Sequence, residues 1–441
     1  MHGASPAATS ASADWLRRAE FWLLCALLFV LPTLEAPKNV LFGLYLIVWA
    51  ARRLSITGLR SLRLDSVEYS LLALIAASAV ATFANWPFPN GVKGLWDMMR
   101  LTLLFWCVYR AGYDDRQHWV LAKVVTAGLI VGLAIGVFEL ATGRRPLLEL
   151  HSAGILTQSA MYVSMVFVLA LGVFLTRWLP GGSIAGTGWR SWPWLASLLA
   201  MSAALFIMGS RGAIFALALI IVCLALLVNR ARFWALLAGG ALAVIAALFA
   251  MQSLDGGGRI AASARFRLNV ERFAVSNLER IENMRVAVAQ VREGESLWFG
   301  IGPRNFRSID VSRLHFDPPL RLSEEQRSRL ARAHAHNLFL TKLVEEGIAG
   351  LTALVFFFGL VARGLWRAWR REEWHDWRWF AAFGALGVPV IAGSVNTPFY
   401  QEHAMLAMAL MAIFMATRRE PPVKANQSPP VRAAEWRGWR R

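Results

Sequence analysis

Residues 331–351 read ARAHAHNLFLTKLVEEGIAGL, and they mark the point where an arginine-rich polar segment gives way to a long apolar run. Two histidines and an asparagine stand at that junction. The apolar run, near 343–366, is long enough to cross the roughly 30 Å hydrocarbon core of a bilayer, so polar chemistry here meets a membrane. Extending the same reading outward gives about twelve apolar stretches of spanning length. They fall near 19–35, 38–52, 67–86, 95–112, 118–141, 156–178, 192–209, 212–229, 233–251, 343–366, 379–396 and 402–418.

Composition agrees with an all-α polytopic membrane protein, because 57% hydrophobic and only 17% charged residues is too apolar for a soluble chain of 441 residues. The net charge of +18 does not point to nucleic acid: a nucleic-acid binder gathers its basic residues on a soluble face, whereas these lie in short runs between apolar segments. Cys25, Cys107 and Cys223 each sit inside an apolar run with no CxxC or Cys/His cluster, which reads as packing and implies neither a disulfide nor a metal site. Arg17 and Arg18 precede the first apolar run, but no A-x-A cleavage site follows, so that run is expected to be an uncleaved first span.

Orientation follows from the retention of Arg and Lys on the cytoplasmic side. With the N-terminus inside, the inner segments carry Arg17 and Arg18; Arg52, Arg53, Arg60 and Arg63; Arg110 and Arg116; Arg177 and Arg190; Arg230 and Arg232; Arg363, Arg367, Arg370, Arg371 and Arg378; and a basic tail from Arg418. The short opposite loops carry little beyond Lys38, Lys93, Arg144 and Arg145, so both termini are expected to be cytoplasmic. The organisation is then 1–251 for spans one to nine, 252–335 for one large outer loop, 336–418 for spans ten to twelve, and 419–441 for a cytoplasmic tail. Inside the loop, Ser276 and Glu279 predict a capping box for a helix with Leu278, Ile281, Met284, Val288 and Val291 along one face. Arg285 falls within that apolar sector and Arg280 at its edge. GIGPRNF, 300–306, breaks the chain, and Ser323 with Gln326 predicts a second capping box.

Three groups of polar residues converge on the outer face. Arg211 sits in a turn so tight, Gly209-Ser210-Arg211-Gly212, that it must lie at the membrane boundary, where it either snorkels to headgroups or serves a site. Arg280 and Arg285 either pair with Glu271, Glu279 or Glu282 or join Arg211 in clamping a diphosphate, which guanidinium groups bind bidentately. His336 is the candidate for proton transfer, with Asn337 orienting it or capping the next helix, while His334, two residues earlier, is expected to point elsewhere. A structural role is the alternative for each histidine. Asp97 and Arg100, near the outer end of the fourth span, are further polar contacts or a pair one helical turn apart. Asp114-Asp115 lies on the inner side and reads as a solvated turn, and no outer-face DxD or HExxH supplies a metal-ligand set.

SRGAIFAL from Ser210, RIENMRVAV from Arg280 with GIGPRNF from Gly300, and AHAHNLFLTKLVEEGIAGL from Ala333 together resemble the O-antigen ligase and polymerase superfamily of lipid-linked glycan transferases. The ordered set covers about the central third of the chain; SAGILTQSAMYV at 152–163 and Met284 depart from the usual pattern. The resemblance implies a C-type glycosyltransferase architecture with one large helical periplasmic loop, in the bacterial inner membrane. It implies an undecaprenyl-diphosphate-linked glycan as donor and lipid A-core as acceptor, with no cofactor or metal and with inversion at the anomeric carbon. By position, His336, Arg211 and Arg285 would form the catalytic set, and Arg280, Asn337, His334, Arg265 and Arg100 would contact substrate. One large loop favours a ligase over a polymerase, and a length of 441 residues favours it over a protein O-oligosaccharyltransferase. A flippase would instead distribute its charges over several spans at mid-membrane.

Overall fold

The computed structural model describes residues 6–56, 63–87, 90–150, 156–177, 191–228, 270–294, 297–320, 334–395, 399 and 401–418. The expected ninth span, the second capping box and Arg265 lie outside them. Among the described residues the regular structure is helical throughout, with twelve α-helices. In chain order these are α1 (Pro6–Val30), α2 (Glu35–Ile56), α3 (Ser66–Ala84), α4 (Gly91–Arg110), α5 (Asp115–Ala141), α6 (Leu156–Thr176), α7 (Trp192–Met208) and α8 (Arg211–Val228). They continue with α9 (Val270–Glu293), α10 (Leu338–Arg370), α11 (Trp377–Gly393) and α12 (Glu402–Ala416).

The chain is a polytopic membrane protein. Ser66–Ala84, Asp115–Ala141, Thr157–Thr176 and Leu338–Arg370 are long and apolar enough to cross a bilayer, and four shorter apolar helices accompany them. The bundle is arranged around α12. Every residue from Glu402 to Met415 is buried, the pattern of a helix that is apolar all round and enclosed by others, here α4, α6 and α11. Around that centre α6 packs on α11, α3 on α10 and α4, and α1 on α2 and α5. Large apolar side chains left outside, such as Trp22, Ile47, Phe83, Phe215, Leu226 and Trp366, are each more than half exposed, as lipid-facing residues are.

Local chemistry explains the ends. Asp65 and Asp114 each accept backbone N–H groups in capping boxes with Glu68 and Gln117, so Asp114 serves as a helix cap, while Asp115 pairs with Arg378 at 2.7 Å. Gly209, at φ 59°, takes the left-handed conformation that ends α7 and lets α8 begin two residues later.

Two expectations are corrected. α9 begins at Val270, with Ser276 inside it, because VERFAV continues the helix upstream of the supposed cap. Its buried side is set by Glu282, Asn283, Val286 and Ala287, which leaves Ile281 54% exposed and shifts the apolar face away from the one the spacing suggested. α10 also runs longer than 343–366, because its first nine residues continue into the spanning part across a break at Gly347.

Candidate functional site

The break in α10 holds the loop that follows α9. Gly347 has φ 67° and ψ −165°, a region open essentially to glycine alone. Freed from helical geometry there, α10 offers its backbone sideways. Ile301 N–H donates to the Val344 carbonyl at 3.0 Å, Ile348 N–H to Leu297 at 3.0 Å, and Ala349 N–H to Trp298 at 3.3 Å. A Cβ at Gly300 would lie 2.5 Å from backbone atoms of Val344 and Glu345, and one at Gly347 would lie 2.2 Å from the Trp298 carbonyl. The two glycine motifs therefore fit into each other.

Carboxylates complete the lock. The Glu345 carboxylate accepts the Phe306 N–H at 3.3 Å and also the Arg304 N–H, capping the short 3-10 turn Phe306–Ser308. Arg304 in turn pairs with Asp97 of α4 at 2.5 Å, Asn85 donates to the Gly300 carbonyl at 3.0 Å, and Arg307 donates to Asn90 at 2.8 Å. The loop is thus pinned to α3, α4 and α10 together. Glu345→Gln should lower the thermal midpoint in detergent, because one amide oxygen replaces a carboxylate that serves two N–H groups. The expected cost is roughly 1–3 kcal/mol; an unchanged midpoint would show that this cap does not hold the loop.

Above this lock stands the histidine junction. Asn337 is the N-cap of α10: its side-chain oxygen accepts the Leu340 N–H at 2.9 Å, and its amide donates to the Ser394 carbonyl, at the end of α11, at 2.6 Å. His336 has φ 52°, a left-handed conformation, which turns its ring back onto that of His334. The ring centroids are 4.5 Å apart at 70°, and the His336 backbone N–H donates to His334 Nδ1 at 3.1 Å. The expectation that His334 points elsewhere is therefore not met. His334 Nδ1 is the acceptor, so a neutral His334 carries its proton on Nε2. The Nδ1 of His336 is buried without a hydrogen-bond partner.

Arg280 of α9 acts electrostatically on both rings. Burial, followed by the Arg280 charge, holds His336 down to about 4; burial, His336 and Arg280 hold His334 down to about 3. Both imidazoles are neutral at physiological pH and retain a lone pair. Arg280 is itself shifted down by burial and by the charge of Arg211, which stands at the first residue of α8. Elements far apart in sequence thus bring Arg280 into electrostatic range of Arg211 on one hand and of His334 and His336 on the other. Two guanidinium groups gathered at a partly buried place repel each other, and an anion between them removes that penalty.

The remaining expected residues fall elsewhere. Arg285 is engaged by its own subdomain: it pairs with Glu282 at 2.9 Å, donates to the carbonyls of Pro318 and Pro319, and lies over the Phe316 ring. Arg100 bonds Asn39 at 3.2 Å and Asp97 at 3.4 Å, so it belongs to the Asp97–Arg304 network below the histidines. Sequence reasoning missed Arg304 and Glu345 as positioning groups, and the buried pairs Lys342–Glu346 and Lys38–Glu402. The only signal for them was that GIGPRNF and EEG are both unusual in a membrane chain.

Residues 196–355 match the family described as O-Antigen ligase. The matched segment takes in Arg211, Arg280, both histidines and the Glu345-Glu346-Gly347 break. Comparison with curated proteins finds no match.

Proposed function

From a chain that is a member of the O-antigen ligase superfamily, and so of ligase or polymerase type acting on lipid-linked glycans, we propose an O-antigen ligase that moves a completed glycan from undecaprenyl diphosphate onto lipid A-core. It would work at the periplasmic face of the bacterial inner membrane, with both termini in the cytoplasm. The observation that supports this reading is that Arg280 stands within electrostatic range of two neutral histidines and of a second arginine, Arg211.

The chemistry follows from those groups. Arg211 and Arg280 hold the donor diphosphate and stabilise the charge that grows on it as it leaves. His336, with a nitrogen lone pair free of protein partners, accepts the proton of the acceptor hydroxyl. The acceptor oxygen bonds to the anomeric carbon on the side opposite the diphosphate, the bond from that carbon to the phosphate oxygen breaks, and its electron pair departs with undecaprenyl diphosphate. Configuration at the anomeric carbon inverts. An imidazole held near 4 is a weak base, but a bound diphosphate offsets the Arg280 field and raises it towards the ordinary range. The base therefore becomes competent when the donor arrives. His334, through its bond to the His336 N–H, keeps that residue in its left-handed conformation. Charge neutralisation by arginine and a good leaving group make a metal-independent reaction sufficient.

The test is reconstitution of purified protein with lipid-linked O-antigen and lipid A-core. Wild type should produce glycan on lipid A-core, and Arg280→Gln should reduce turnover by about 10²-fold, as loss of one oxyanion-stabilising donor does. Longer lipid-linked chains as product would make the enzyme a polymerase, and donor crossing the bilayer without product would make it a flippase.

A further inference from the structure

At the far end of α10 from the histidines, 33 residues or about 50 Å along the helix, the bundle opens a polar cavity of about 490 Å³. Its walls come from the start of α3, the end of α4, the last turns of α10 and the end of α12. Five guanidinium groups line it, those of Arg63, Arg363, Arg367, Arg371 and Arg418, against two carboxylates, Asp65 and Glu373. Both carboxylates are already engaged. Asp65 accepts the Tyr109 hydroxyl at 2.7 Å and the α3 backbone N–H groups of Val67 and Glu68, and Glu373 pairs with Arg418. Arg363, Arg367 and Arg371, the last at the helix C-cap, follow one another at four-residue intervals.

Positive charge at helix ends is ordinary for a cytoplasmic boundary and by itself calls for no ligand. Here, however, the arginines line one cavity: Arg418 is half-buried in its wall, and Arg63, Arg363, Arg367 and Arg371 are exposed at its opening, where a headgroup can reach them. Burial and the neighbouring Arg371 lower the proton affinity of Arg418, the sign of cations crowded together. The adjoining C-terminal sequence adds net positive charge, since 419–441 hold six further basic residues against Glu420 and Glu435. About half of the wall is apolar, from Leu64, Val67, Leu360 and Met415, which suits a group that is anionic at one end and hydrocarbon at the other.

We propose that this cavity binds the phosphate of an anionic phospholipid headgroup, at the end of the bundle opposite the transfer site, with Arg363 and Arg367 as its principal contacts. The chemistry is that of a basic pocket between membrane helices. A soluble phosphate compound shares it, and the experiment separates the two sources.

Full-length protein is stripped of lipid in detergent and titrated by native mass spectrometry with phosphatidylglycerol, phosphatidylethanolamine or inorganic phosphate. Wild type should retain phosphatidylglycerol in preference to the zwitterionic lipid. Arg363→Gln with Arg367→Gln should weaken that binding by about tenfold or more, while Arg116→Gln with Arg370→Gln, exposed arginines outside the cavity, should not. Should the first pair fail to fold, Arg63→Gln with Arg371→Gln makes the same test. Arginine-dependent binding of inorganic phosphate that displaces the lipid would support the site and assign it to a soluble phosphate. The proposal is overturned if neither phosphatidylglycerol nor phosphate binds in a way that these arginines control.

Discussion

His336→Ala is expected to lower the rate of glycan transfer by roughly 10²–10⁴-fold, the contribution of a positioned general base, with the donor still bound. Alanine alone would leave an ambiguity, because His336 sits at φ 52° and the loss of function could come from the backbone. His336→Asn resolves it. Asparagine tolerates the left-handed region and keeps a polar side chain, but it does not titrate. Both variants should fail in transfer and keep donor affinity near wild type; full turnover by the asparagine variant would sink the assignment.

The same assignment carries a pH signature. With burial and Arg280 holding His336 at about 4, kcat/KM, which reports the free enzyme, should stay level from pH 8 to about 5 and fall only as pH approaches 4. In the donor complex the fall in kcat should begin at higher pH, because the diphosphate raises the imidazole. Stability runs the same way as for a paired carboxylate, because in both cases the folded state binds its proton less readily than the unfolded chain. The unfolded chain gains a proton at each histidine near 6.5, whereas folded His336 and His334 resist until about 4 and about 3. Their contribution to stability is therefore fully present above pH 6.5 and lost as pH falls from there towards 4. Thermal midpoints should decline over that window in wild type and decline less in His336→Asn.

Hydropathy alone carried much of the architecture: the apolar runs become helices α1 to α8 and α10 to α12 with boundaries shifted by about five residues or fewer, except that α1 begins well upstream, at Pro6. Charge position pointed to residues that the fold brings near one another: Arg280 comes within electrostatic range of Arg211 and of His336. Periodicity misled where a helix is only partly enclosed. On α9 the face chosen by Ile281 is turned outward, and Arg285, placed among catalytic groups by spacing and resemblance, is held by Glu282 and the Pro318-Pro319 carbonyls. The loop lock was illegible for a different reason. Hydrogen bonds between 297–301 and 344–349 are made by backbone atoms, whose partners no side-chain pattern records. Likewise, the contact between the two histidine rings depends on one left-handed residue that histidine rarely adopts.

That lock gives the second large effect. Gly347→Ala should cost roughly 3 kcal/mol or more, combining strain at a positive φ with overpacking. The added Cβ would meet the Trp298 carbonyl at 2.2 Å, backbone against backbone, so no side-chain rotation relieves it. Either α10 straightens or the loop withdraws, and both outcomes remove the Val344–Ile301 and Leu297–Ile348 hydrogen bonds. The loop follows α9 directly, so its release also frees the helix that carries Arg280. Transfer should therefore fall along with the thermal midpoint, and the segment around 297–308 should become sensitive to protease. Gly359→Ala on the same helix is the matched comparison. Nothing lies within 4 Å of a Cβ there, so removing a helical glycine should stabilise by about 0.5–1 kcal/mol. If the two variants behave alike, helix propensity rather than the interlocked glycines governs this region, and Arg280 is held in place by contacts of α9 itself.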